Sequence, residues 1–115
     1  MIRKPTDMTL DVREQMRGGA GTTEILNIVG GDELNHARLF SKITLPVGAS
    51  IGEHTHLKET EYYYIIEGAG VVEEADGEKS VTSGDLVITS DGESHGIRNT
   101  GDTPLVFMAV IILDD

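Results

Sequence analysis

Cysteine and tryptophan are both absent from this 115-residue chain. Without thiols there is no disulfide to staple the fold and no thiolate to hold a metal, so any ion must bind through imidazole nitrogen and carboxylate oxygen. Basic residues are scarce: nine Lys and Arg stand against twenty Asp and Glu, a formal charge of −11. That balance repels phosphate backbones and anionic lipid, which argues against nucleic-acid and membrane partners. Most of the acidic groups serve solubility, and together they also gather cations. Long apolar runs are missing too. The longest, Leu105 to Leu113, is too short to span a bilayer, and Met1 to Leu10 contains no leader-like stretch. A soluble cytoplasmic protein of one domain is the expectation.

What is present favours strands. Ile, Val and Leu dominate the apolar 38%, and fourteen glycines but only three prolines punctuate them. Residues 1–36 read as an N-terminal arm and a first strand, and residues 37–115 as the core. Within the arm, Thr9 to Arg17 fits a short helix stopped by Gly18-Gly19 or an irregular segment equally well. Thr22 to Val29 reads as the first strand. Further strands are expected at Ala37 to Leu45, Ser50 to His56, Glu61 to Ile66, Val71 to Glu74, Lys79 to Val81, Leu86 to Thr89, Ser94 to Asn99 and Leu105 to Leu113. Asp76-Gly77 supplies a hairpin turn. Many short strands between regular turn signals indicate a sandwich or barrel.

Three of the four histidines fall in two short segments. His54 and His56, two apart on a strand, project to one face. Glu61 follows His56 by an odd step. The chain must therefore bend or bulge across Leu57-Lys58-Glu59-Thr60 before Glu61 can rejoin that face. Taken alone, this group reads equally as a metal site or as a solvated charged patch.

Gly48 to Gly68 has the form G-x5-H-x-H-x4-E-x6-G, with His54, His56 and Glu61 at its polar positions. Gly84 to Asn99 follows as G-x5-S-x-G-x2-H-x3-N, carrying Gly92 and His95. These segments resemble the two motifs of the cupin superfamily, and the whole looks like a small single-domain metal-binding cupin. Ser90 departs from the pattern, standing where the family usually has Pro. The resemblance implies an all-β double-stranded β-helix, or jelly roll, holding one divalent transition metal with His54, His56, Glu61 and His95. Mn, Fe, Ni, Co, Cu or Zn would all suit that donor set. It implies open coordination positions for a small polar metabolite, an organic acid or a sugar derivative. The leading expectation is a metal-dependent enzyme of decarboxylase, dioxygenase, isomerase or lyase type. The alternative is a non-catalytic binding or sensing module. A homodimer is expected, paired through barrel faces.

Around this set, Tyr63 shares the face of Glu61 and is the candidate to orient a ligand or donate a proton, although a core aromatic is the commoner role. Tyr62 and Tyr64 face the other side. Ile97 with Phe107 or Met108 are expected in the pocket wall. Arg38 and Lys42 share a face with Phe40; inward, they would hold an anion, and outward they would be solvated charges. His36 is expected on the surface, Glu59 as a spare carboxylate at the mouth, and Asn99 as a tie for a strand end. Gly48, Gly68, Gly84 and Gly92 are assigned to turns.

Overall fold

Ten strands and three short 3-10 turns account for the regular structure of the computed structural model, which describes all residues from Met1 to Asp115. The strands are β1 (Thr9–Glu14), β2 (Thr22–Val29), β3 (Ala37–Leu45), β4 (Ser50–Thr55), β5 (Glu59–Glu67), β6 (Ala69–Glu74), β7 (Gly77–Thr82), β8 (Leu86–Thr89), β9 (Ser94–Asn99) and β10 (Leu105–Leu113). They form two antiparallel sheets, β1-β2-β3-β10-β5-β8 and β4-β9-β6-β7. The chain crosses between sheets after β3, β4, β5, β7, β8 and β9, the winding of a jelly roll.

Alternation decides which side chains fill the space between the sheets. On β5 the inward positions Glu59, Glu61, Tyr63 and Ile65 are buried, while Tyr64 and Ile66 face solvent. Phe107, Leu45, Ile65, Leu105 and Val72 are fully buried at the centre of a 13-residue apolar cluster. Turn chemistry holds the ends. Gly68 takes a left-handed φ of 88°, and a Cβ there would meet the Pro104 carbonyl oxygen at 2.5 Å. Ser90 to Glu93 forms a turn around left-handed Gly92, closed by Glu93 N–H donating to Ser90 O at 3.0 Å. Having Ser at position 90 leaves an N–H that donates to Glu93 Oε1 at 2.8 Å, a bond that proline would forfeit.

Three expectations change in detail. Thr9 to Arg17 divides into a strand and a turn: Thr9–Glu14 is β1, paired with β2 from Thr9 opposite Asn27 to Glu14 opposite Thr22, and Gln15 to Arg17 enter a tight left-handed turn. None of the β1 side chains is buried, so backbone pairing rather than core burial holds the strand. The bend after β4 is confined to Leu57 and Lys58, with Lys58 left-handed at φ 58°, so Glu59 already belongs to β5. The β6–β7 hairpin turns on Ala75-Asp76, because Gly77 pairs with Glu74.

Candidate metal centre

β4 and β9 place His54 directly opposite His95. Between the Ile51–Ile97 and His54–His95 pairs, β4 advances three residues while β9 advances two. This bulge at Gly52-Glu53 turns both Ile51 and His54 inward despite their odd spacing. His56 continues past the end of β4, its N–H donating to Glu93 O at 3.0 Å and its carbonyl accepting from Gly92 N at 2.7 Å. Glu61 arrives on β5 with neighbours Ile111 on β10 and Thr89 on β8. The four ligand atoms of His54, His56, Glu61 and His95 lie within 4.8 Å of one another, a group that could hold a metal ion.

Each imidazole is held from behind through Nδ1. That of His54 lies 2.8 Å from Gly52 O, that of His56 2.5 Å from a Glu59 carboxylate oxygen, and that of His95 2.7 Å from Thr89 Oγ1. A carbonyl and a carboxylate only accept, so His54 and His56 carry N–H at Nδ1 and a lone pair at Nε2. Those lone pairs converge. His56 Nε2 to His95 Nε2 is 3.0 Å and His95 Nε2 to His54 Nε2 is 3.1 Å. Glu61 Oε1 sits 3.0 Å from the Nε2 of both His56 and His95, and 3.9 Å from that of His54. It is buried and has no hydrogen-bond partner.

Acceptors crowded this closely repel unless a proton on His95 Nε2 or a metal cation lies among them. A metal with bonds of about 2.1 Å sets adjacent octahedral ligands roughly 3.0 Å apart and opposite ones roughly 4.2 Å apart, whereas tetrahedral edges run to about 3.4 Å. The separations of 3.0 to 3.9 Å between Glu61 Oε1 and the three Nε2 atoms fall within that span, so one ion could reach all four side chains. The residues therefore fit a divalent ion, which would keep coordination positions open for a ligand.

Electrostatics agree with the geometry. In the metal-free site burial works against ionisation of Glu61, but hydrogen bonds from the imidazoles when they carry a proton at Nε2 prevail and hold its carboxyl far below the usual range. His56 is raised, chiefly by its contact with Glu61 and against the effect of burial. His95 is lowered by burial. Tyr63 stacks on His95 with ring centroids 4.8 Å apart and tilts onto Phe107 at 4.5 Å. Burial, reinforced by the Glu61 charge, pushes its phenol well above the usual value, so it remains a proton donor at neutral pH.

A cavity of about 150 Å³ opens over this cluster. His54, His56, Glu61 and Tyr63 line its floor and Ile25, Ile43, Ile51 and Ile111 its walls. The expected wall residues are elsewhere. Ile97 and Phe107 are packed within the apolar core and Met108 is half-buried on the outer side, because the open half of the barrel is built by β2 and β3. Phe40 and Lys42 point outward, as solvated positions do. Arg38 escapes that face at the register irregularity where β3 meets the end of β10, and it binds Glu59 through Nε at 2.7 Å and Nη2 at 2.6 Å. Glu59 is thus no spare carboxylate: it is buried and spans Arg38 and His56. His36 is exposed and away from the site. Asn99 ties Leu45 O, Thr103 O and Gly101 N together at 2.9 Å each.

Sequence reasoning missed the lip of the cavity, which comes from the N-terminal segment: Asp11, Arg13, Met16 and Arg17. The signal was the alternation in Thr9–Glu14, which puts Asp11 and Arg13 on the face opposite Leu10 and Val12. Asp11 Oδ2 accepts from Asn27 Nδ2 at 2.9 Å, and Asn27 Oδ1 accepts from Ser41 Oγ at 2.8 Å.

Comparison with known proteins settles the family. Residues 41–111 match the cupin domain. The chain belongs to the cupin family. It is 41% identical, over 98% of its own length and 94% of the other's, to a Thermotoga maritima protein named oxalate-binding protein. A crystal structure of a predicted oxalate decarboxylase from Thermotoga maritima superposes with a TM-score of 0.92 at 41% identity, covering 98% of this cupin and 99% of that chain. A sugar phosphate isomerase of the cupin superfamily from Silicibacter pomeroyi is 26% identical with a TM-score of 0.68, over 78% of this chain and 59% of that one. So the barrel is shared among proteins named for different substrates, and the reaction must be argued from the site.

Proposed function

We propose that this cupin holds one divalent transition-metal ion through His54, His56, Glu61 and His95, and binds a small oxygen-chelating organic acid of the oxalate class above it. The observation that carries this reading is the buried, unpartnered Oε1 of Glu61 lying among converging imidazole Nε2 atoms. Mixed nitrogen and oxygen donors suit Mn, Fe, Ni, Co, Cu or Zn. The ion would act as a Lewis acid and template for adjacent ligand oxygens. The chain supplies the rest. Isoleucine walls exclude water, Tyr63 offers a donor, and a cavity of about 150 Å³ suits a ligand of a few heavy atoms. The similarity to a protein named for oxalate binding supports this ligand class.

Turnover is the second reading, favoured by Asp11, a carboxylate at the cavity that is not among the four converging ligands. The test begins with elemental analysis of protein from its native source, followed by calorimetry with oxalate. Oxalate recovered unchanged after long incubation supports a binding module, and product supports an enzyme. Absence of transition metal, with no gain in melting temperature on adding one, sinks both.

The homodimer belongs to the same proposal. On the outer face of β5, β8 and β10, Tyr64, Ile66, Leu86, Ile88 and Ile112 are each 41% to 53% exposed. This apolar patch suits a second copy across a twofold axis. A monomer by light scattering counts against it.

A further inference from the structure

The chain has five arginines, and three are neutralised by acidic partners: Arg3 by Glu33 at 3.0 Å, Arg38 by Glu59 at 2.6 Å, and Arg98 by Glu73 and Glu78 at 2.6 and 2.9 Å. Arg13 and Arg17 have no carboxylate within 4.0 Å, although the chain carries a charge of −11. Both line the cavity over the metal cluster. The carboxylate beside them on the lip, Asp11, is engaged by Asn27.

The turn that carries Arg17 is built rather than loose. Gln15 and Arg17 are left-handed, with φ of 50° and 54°, an uncommon conformation for residues other than glycine. The turn is keyed into β4: Ser50 N donates to Ala20 O at 2.8 Å and Ala20 N donates to Ser50 Oγ at 2.8 Å. A Cβ on Gly52 would meet Arg17 O at 2.0 Å, and one on Gly19 would meet Ser50 O at 2.2 Å. Gly52 is also the residue whose carbonyl holds His54 Nδ1. The backbone bearing Arg17 is thereby fixed against the strand bearing His54.

Resting on the ligand class proposed above, we infer that Arg13 and Arg17 form an anion subsite that engages the carboxylate oxygens of a small dianion left free by the metal cluster. Guanidinium forks match carboxylates in geometry and charge, and a metal at the cavity floor with two cations at its lip selects two carboxylates over one.

The experiment compares oxalate with oxamate, its equal-sized monoamide, by calorimetry on metal-loaded protein whose metal content is measured first. The wild type is expected to bind oxalate more tightly than oxamate by about tenfold, and the Arg13→Met/Arg17→Met double variant to lose about ten- to hundredfold in oxalate affinity. The double variant should keep its metal and melting temperature and discriminate poorly between the two ligands. Arg17→Lys on its own should retain part of the preference. Unchanged oxalate affinity in the double variant overturns the subsite and leaves the metal reading standing. Equal loss of both ligands together with loss of metal overturns it in favour of a packing role for the turn. A wild type that holds metal but binds neither ligand overturns the ligand class and the subsite with it.

Discussion

The Glu59 carboxylate lies 2.5 Å from Nδ1 of His56 while Arg38 grips it from the other side at 2.6 and 2.7 Å. An anion behind an imidazole fixes which nitrogen carries the proton and makes the other more basic. Arg38 in turn, by hydrogen bonding and against the effect of burial, holds the Glu59 carboxyl below its usual range and so keeps it ionised. Glu59→Gln removes the charge at nearly constant volume. Metal affinity is expected to fall about ten- to hundredfold, measured by chelator competition, with the circular dichroism spectrum unchanged. Wild-type affinity in this variant would show that the orientation of His56 does not depend on the charge.

Metal binding to the folded state alone must raise its stability. At a free metal concentration of one hundred times Kd the gain is about 2.7 kcal/mol, which for a chain of this size is roughly 10 °C in melting temperature. EDTA should remove the increment. His54→Ala should abolish it, because His54 would be one of the four side chains holding the ion. An equal increment in His54→Ala would place the ion elsewhere.

Much of this was legible in the sequence because the same residues serve two levels of structure. Ala37–Leu45 buries one face, so alternation marks it, while Leu105–Leu113 stands out as a continuous apolar run after a turn signal. The four converging side chains stood out through fixed spacing between turn glycines. β1 was not legible, since its alternation buries nothing and its stability lies in the ladder with β2. Glu59 was misplaced by counting too many residues into the bend: with only Leu57 and Lys58 turning, Glu59 joins Glu61 on the inner face. Alternation in Thr9–Glu14 puts Asp11 and Arg13 on one face, but that this face meets the cavity depends on packing against distant segments, which no local pattern encodes.

Stability against pH separates the two forms of the protein. In the metal-free chain His95 is lowered by burial, so its contribution is full above about 6.5 and is lost as pH falls through its folded value. His56 is raised by Glu61, so its contribution is full below about 6.5 and is lost as pH rises through its folded value. The two windows adjoin at the ordinary His value without overlapping, so the metal-free profile peaks near pH 6.5 and declines on either side. A steeper loss begins below about 4.5, the usual glutamate value, where protons return to the depressed carboxyls of Glu59 and Glu61. With metal bound, the imidazoles must be neutral, and protons compete for them. The metal-induced rise in melting temperature should therefore shrink as pH falls through about 6.5. Thermal scans with and without metal from pH 4 to 8 check both curves. An undiminished increment at pH 5 would argue against three imidazole ligands.

Gly52→Ala tests whether the N-terminal turn and the metal centre are one mechanical unit. The new Cβ would lie 2.0 Å from Arg17 O, a backbone atom pinned through Ala20 and Ser50, so it cannot yield cheaply. Either β4 shifts, moving the carbonyl that holds His54 Nδ1, or the turn lifts and takes Arg17 from the cavity lip. Overpacking of this kind costs about 1–3 kcal/mol, read as a lower melting temperature in metal-free protein. Metal affinity or oxalate affinity should fall as well, depending on which side yields. Gly101→Ala is the control: its nearest Cβ contact is an ordinary 3.5 Å, and its expected change is within about 0.5 kcal/mol. If Gly52→Ala were as mild as Gly101→Ala in stability and in both affinities, the turn would not be keyed to the site.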